Sequence, residues 1–379
     1  MEDSTESAGI NRHKIFDWLI MFSLFFVSGF YWPNHETVQM KYECFELFIT
    51  FLVGAYFVFG QVRKINDWCP ALFLTYCMVN LFTHGTGGNT KLAIMIVFFS
   101  ITGIYLIENG ISLDMVEKLK KGLVIYALLN CGSYFLERIG INAPFQVQDT
   151  GHLPTGFMVY PAHFALLSVV ALFFAWGWKK ILCLPLFAGL VASNEYSVWL
   201  GLGLCVLWFF RKEWWIWFVL VFFISSFLFV TPLRHCAMDH LHHKFSLRLQ
   251  FWIPIFKLTW ERALDGFGIG GYSSMANSIF PQYPANSWLE LHNEPLQAFF
   301  EGGISLLAIL GVWAWQLKKK IKNVYYEAPY LFSFILFFSV SCFHSPFHFP
   351  DCLWIFIVLY GMFQVEFYNA DKKWDLSHD

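Results

Sequence analysis

Apolar residues in this chain gather into blocks about as long as a bilayer is thick, and nothing else constrains its fold as strongly. A hydrocarbon core of about 30 Å takes roughly 20 residues of helix. Twelve stretches of this kind run through the 379 residues, at 15–33, 42–60, 67–83, 91–108, 121–137, 157–177, 179–193, 195–210, 213–231, 294–316, 328–344 and 351–368. The seventh and eighth are short and adjacent, the pattern of a broken pair. Unbroken apolar runs predict helices, since barrel strands would alternate with period two. Composition agrees: 57% hydrophobic, 21% aromatic and only 14% charged, where soluble domains carry about 25% charge. The reading is an all-α polytopic membrane protein of about twelve transmembrane helices, a single transmembrane domain over 1–379. A net charge of −2 gives no basic bias towards nucleic acid.

Lysine and arginine set the orientation. With the N-terminus inside, seventeen of the 25 basic residues fall on the cytoplasmic side, among them Arg63, Lys64, Lys179, Lys180 and Lys318–Lys320. Lys41, Lys91 and Arg138 face outward, and the other five lie in one long outward loop, about 231–293, inserted between helices nine and ten. Both termini are then cytoplasmic. The first block has no small-residue cleavage pattern behind it and reads as a retained helix. There is no internal repeat. Nine cysteines, an odd number without a C-x-x-C pair, read as small buried hydrophobes.

The outward loop is where a site has room. In residues 245–264, Arg248, Trp252, Ile255, Thr259 and Arg262 share one stripe of a helix at about 100° per residue. Pro254 predicts a kink or break within it. Its many aromatic and aliphatic residues place it along the membrane surface. Its arginines either solvate an interfacial helix or bind a phosphate with their forked guanidinium groups. The following DGFGIGGY (265–272) reads as a turn, because no βαβ unit surrounds it. His235, His240, His242 and His243 fit no standard metal spacing, and no metal is expected. His84 with Gly85, Gly87, Gly88 and Asn89 reads as a polar outer turn.

The loop closes at LHNEPLQAFFEGG (291–303). Asn293 suits a helix cap and Pro295 a first turn. His292 therefore stands at a helix N-terminus, whose positive end disfavours a protonated imidazole and leaves a ring able to accept a proton. Glu294 lies beside it. Glu301 lies two and a half turns further in, where a carboxylate must face protein or a water-filled cavity.

His292-Asn293, Leu296-Gln297, Glu301 and Gly303 resemble the H-N-x-x-L-Q-x-x-x-E-x-G signature of the O-antigen ligase and polymerase family of bacterial inner-membrane proteins. Three further features agree in order: Arg248 and Trp252 followed by Gly266–Gly271, the large loop before the histidine helix, and HSPFHFP (344–350) before the last helix. The resemblance covers about 190–365. It implies a multi-pass inner-membrane glycosyltransferase of lipopolysaccharide biosynthesis that needs neither metal nor cofactor. Its donor would be a polyprenyl-pyrophosphate-linked glycan, its acceptor a lipid-linked or other sugar, and membrane lipids would surround it. By the same resemblance His292 is the base, Arg248 and Arg262 hold phosphate, and Glu301, Asn293 and His344 organise or bind around them. One departure stands out: SNEYSVWLG (193–201) lacks the arginine the family often carries there, so another cation such as Arg234, Lys244 or Arg262 would serve. Ligase activity is the expectation. A polymerase joining repeat units, or a polysaccharide or lipid transporter without covalent chemistry, are the alternatives.

Overall fold

A backbone inside hydrocarbon must satisfy its own N–H and C=O groups, and a helix does this within one segment. The structure is a computed structural model that describes residues 14–25, 37–59, 68–84, 88–141, 161–193, 195–209, 248–281, 291–322, 328–344 and 346–376, with Val27 and Met158. Among the described residues there are helices and no strands. They are α1 (14–25), α2 (Thr37–Phe59), α3 (Trp68–His84), α4 (Gly88–Gly110), α5 (Leu113–Arg138), α6 (Pro161–Trp178), α7 (Cys183–Ser193) and α8 (Tyr196–Phe209). Further along the chain come α9 (248–259) and α10 (Gly271–Ile279), both within the 231–293 segment, then α11 (Glu294–Lys322), α12 (Ala328–Ser341) and α13 (Pro350–Leu376).

Among the described residues, three segments are long and apolar enough to cross a membrane: Pro161–Trp178, Glu294–Lys320 and Asp351–Ala370. The chain is an all-α membrane protein. The expected short seventh element is indeed short. With 11 residues, α7 is about 16 Å long, half a hydrocarbon core. The apolar block 213–231, the histidines 235–243, Arg234, Lys244 and Gly85–Gly87 lie outside the described residues. None of the seven described cysteines is in a disulfide, and five of them are buried, as small hydrophobes are.

α6 and α13 form the interior. α6 packs on α5, α7, α8 and α12, and α13 on α2, α4 and α5. Their shared core is aromatic and aliphatic, with Trp354, Tyr126, Tyr134 and Phe164 fully enclosed. A second, smaller core sits over one end of the bundle. It is built from Phe251 and Ile255 of α9, Tyr272 and Ala276 of α10, and Leu291 and Phe300 at the start of α11. This cap fixes the loop residues that the sequence singles out.

The break expected at Pro254 does not occur. α9 runs unbroken through it, and Pro254 stands on the exposed side together with Gln250, whose carbonyl would otherwise have accepted the missing N–H. Opposite, Phe251, Ile255 and Thr259 are buried. The outer face carries Ile253, Phe256, Trp260 and Leu264, all exposed, which is the apolar stripe expected of a helix lying on lipid.

Candidate functional site at the capped end of the bundle

α11 starts where the sequence places it. Asn293 Oδ1 accepts the Leu296 N–H at 2.9 Å, satisfying one of the donors a helix start leaves open. The residue before the cap, His292, has φ 52, the one positive φ outside glycine among the described residues. A left-handed side-chain-bearing residue costs of the order of 1 kcal/mol or more and persists only where its surroundings hold it. Leu291 is the holder. Its N–H donates to Gln297 Oε1 at 3.1 Å, and its carbonyl accepts Trp252 Nε1 at 3.0 Å. Trp252 lies one turn along α9 from Arg248, so the same contact registers Arg248 against His292.

Around His292 the structure assembles residues from α6, the α7–α8 joint, α9 and the segment between α12 and α13. The His344 ring lies 6.2 Å away, nearly perpendicular to it. His344 Nε2 stands 3.7 Å from Glu195 Oε2, in the joint between α7 and α8. Burial pushes the His292 imidazole down to about 3, helped by the nearby His344, Arg248, His348 and His163. His344 is also lowered by burial, against the opposing pull of Glu195. Burial lowers the Arg248 guanidinium as well, and Glu195 opposes the shift. The result is a neutral imidazole beside a partly desolvated guanidinium, with a carboxylate at the rear.

Glu301 is buried, but its carboxylate does not reach His292 directly. It accepts Gln297 Nε2 at 3.1 Å and the backbone N–H groups of Gly270 and Tyr272. These open α10, so the carboxyl group sits at the positive end of a helix. Arg262 stands apart: it is exposed, and its guanidinium lies 5.6 Å from the centre of the Phe267 ring. The structure thus gathers His292, Asn293, Arg248, His344 and, through Gln297, Glu301. Arg262 is on the outer rim.

The glycine-rich turn has a more definite task than linking two helices. α11 breaks at Gly303 (φ 62, ψ −163). In an unbroken helix the Ile304 N–H would bond to Phe300 O; here it donates to Ala263 O at 2.7 Å, and Phe300 O accepts Phe267 N–H at 2.8 Å. Gly268 N–H donates to Glu301 O at 2.9 Å, and Tyr76 Oη to Gly302 O at 2.5 Å. The backbones approach so closely that a Cβ on Gly266 would come within 2.5 Å of the Glu301 carbonyl carbon. α3 supports the turn from behind. Asn80 donates to Asp265 O at 3.2 Å and accepts Ile269 N–H at 2.8 Å, while His84 Nε2 lies 3.2 Å from Asp265 Oδ2.

Sequence reasoning did not name Glu195, His163, Gln297 or His348 as site residues in their own right. A histidine and an aspartate inside apolar spans are costly, and that signal was available for His163 and Asp351. They are paired, Nδ1 to Oδ1 at 3.6 Å, with neither exposed. With Cys352 they bring three ligand atoms within 4.8 Å of one another, close enough to share a cation. Glu195, the charge between two apolar helices, carried the same kind of hint.

Residues 181–311 match the family model described as O-antigen ligase. The match supports the O-antigen ligase family for this part of the chain. The match includes Glu195, Arg248, His292, Gln297 and Glu301 and ends before His344. No curated protein matches the chain. The family comprises ligase- and polymerase-type enzymes of the glycosyltransferase kind, working on lipid-linked glycans in membranes.

Proposed function

We propose that the protein is an O-antigen ligase of a bacterial inner membrane. It moves a glycan from a polyprenyl pyrophosphate to a lipid A-core acceptor at the periplasmic face, without metal and with inversion. The pairing of His292 and Arg248 carries the reading: a half-buried imidazole kept neutral, registered against a guanidinium through Trp252 and Leu291. In this reading about twelve spans cross the membrane, both termini are cytoplasmic, and residues 231–293 are periplasmic.

The acceptor hydroxyl oxygen attacks the anomeric carbon and the bond from that carbon to the pyrophosphate oxygen breaks. The pyrophosphate leaves with the electron pair, and His292 takes the hydroxyl proton. Arg248 offsets the charge on the leaving group, and Arg262 meets the donor at the rim. A ring held near 3 is a weak base. The donor's negative charge corrects this by compensating Arg248, one of the causes that hold His292 low. General-base help is worth about 10²–10⁴ in rate, and relief of the departing charge is worth at least as much.

The test is transfer by the purified full-length protein from a polyprenyl-pyrophosphate glycan to lipid A-core in chelator. His292→Ala, present at normal level in membranes, is expected to lose at least about 100-fold; full retention rejects the reading. A deletion strain should accumulate long polymer on the carrier lipid. Caps of a single repeat would instead convert the assignment to a polymerase.

A further inference from the structure

Gln297 is the hub of a hydrogen-bond chain whose polarity can be worked out atom by atom. Its Oε1 accepts the Leu291 N–H at 3.1 Å. Its Nε2 donates one hydrogen to Glu301 Oε1 at 3.1 Å, and the same nitrogen lies 2.9 Å from His348 Nε2. An amide nitrogen has two hydrogens and no lone pair with which to accept. His348 Nε2 is therefore the acceptor, and it carries no proton. The ring's hydrogen sits on Nδ1, which lies 3.0 Å from Glu294 Oε1, a carboxylate that can only accept.

Turning the Gln297 amide over does not rescue the other tautomer. It would set Oε1 against the Glu301 carboxylate and the amide hydrogens against the Leu291 N–H. The Leu291 N–H can only donate, so it alone fixes which way the amide is turned. Glu294 Oε1 also accepts the Phe347 N–H at 3.1 Å, which fastens the 347–348 segment to the first turn of α11. The charged or titratable groups around the ring are Glu294 and Glu301 of α11 and His292 just before it.

We infer that His348 is a positioning residue, whose neutral Nδ1–H imidazole locks Gln297 and thereby holds Leu291 and His292 in place. The chain of contact is continuous: Glu294 to His348, His348 to Gln297, Gln297 to the Leu291 N–H, and Leu291 to the left-handed backbone of His292. The ring touches no reacting atom. Its work is to keep the Gln297 carbonyl turned towards Leu291. The inference rests on the reading of His292 as the base.

Two measurements test it. Imidazole nitrogen NMR on the isotope-labelled full-length protein in nanodiscs, with the His348 signals identified by their loss in His348→Gln, is expected to show Nδ1 protonated and Nε2 bare at neutral pH. An Nε2–H ring or an imidazolium there overturns the lock, whether or not the protein transfers glycan. In the transfer assay, with polyprenyl-pyrophosphate glycan and lipid A-core as probes, His348→Phe should lose about 10–100-fold in kcat with little change in KM, as displaced catalytic groups do. His348→Gln offers an N–H to Glu294 and a carbonyl to Gln297 and should recover most of that loss. Wild-type kcat in His348→Phe, or no recovery in His348→Gln, overturns the inference. If His292→Ala retains transfer, the functional reading falls instead, and the tautomer measurement still decides the lock.

Discussion

α11 is two helices of opposite character joined at Gly303. Before the break stand Glu294, Gln297 and Glu301, with the latter two buried and every one of them bonded to another segment. After it come Ile304, Val312 and Trp315, all exposed, and then the lysines 318–320. The second half looks as hydropathy predicts for a helix end in lipid. In the first half, polar groups are tolerated because protein covers them and supplies partners. What separates the halves is one residue whose backbone only glycine adopts cheaply, so the polar half can swing against the loop.

That contrast can be broken most severely at the joint. Gly303→Ala should cost about 2–3 kcal/mol in backbone strain alone. It should cost more because its Cβ would fall within 2.5 Å of the Leu264 carbonyl carbon. A thermal melt in detergent checks this, and transfer should be lost with the fold. Glu301→Gln comes next. Its amide would turn donors towards the donors of Gln297, Gly270 or Tyr272, leaving a buried polar group unmatched at about 1–3 kcal/mol. The expected result is a lower melting temperature and weakened transfer, without loss of the protein from membranes.

Acid sharpens the comparison in a different way. His292 in the folded protein lies at about 3, below its ordinary 6.5. Between these values the unfolded chain binds the proton and the folded chain does not, so stability falls as pH drops through this window and is unaffected above it. The slope from this one ring is at most about 1.4 kcal/mol per pH unit, and His344, lowered in the same direction, adds to it. Melting against pH should flatten in His292→Gln. The smallest effect belongs to the lipid-facing half. An added Cβ on Gly311 meets nothing within 4 Å, so Gly311→Ala should gain about 0.5–1 kcal/mol of helix stability and leave transfer unchanged.

The helices were legible because hydropathy acts residue by residue. The block at 157–177 became Pro161–Trp178 and that at 294–316 became Glu294–Lys322. The cap at Asn293 was legible for a similar reason, since the bond is three residues long. Glu195 and His163 gave only a hint, as polar groups in or between apolar spans; their roles come from partners far along the chain, His344 and Asp351. At Pro254 no break follows: the Gln250 carbonyl that loses its N–H partner lies on the exposed side, which nothing in the local sequence says.

By itself the sequence determined that the chain is helical, enters a membrane, and returns to it at a capped helix preceded by a histidine. These are consequences of solvent transfer and of bonds between near neighbours. Only the tertiary structure decided which polar groups meet. Hydrogen-bond polarity, burial and strain around His292, Gln297 and Gly303 depend on separate segments: Gln297 meets His348, 51 residues on, and beside Gly303 the Gly302 carbonyl accepts from Tyr76, 226 residues away.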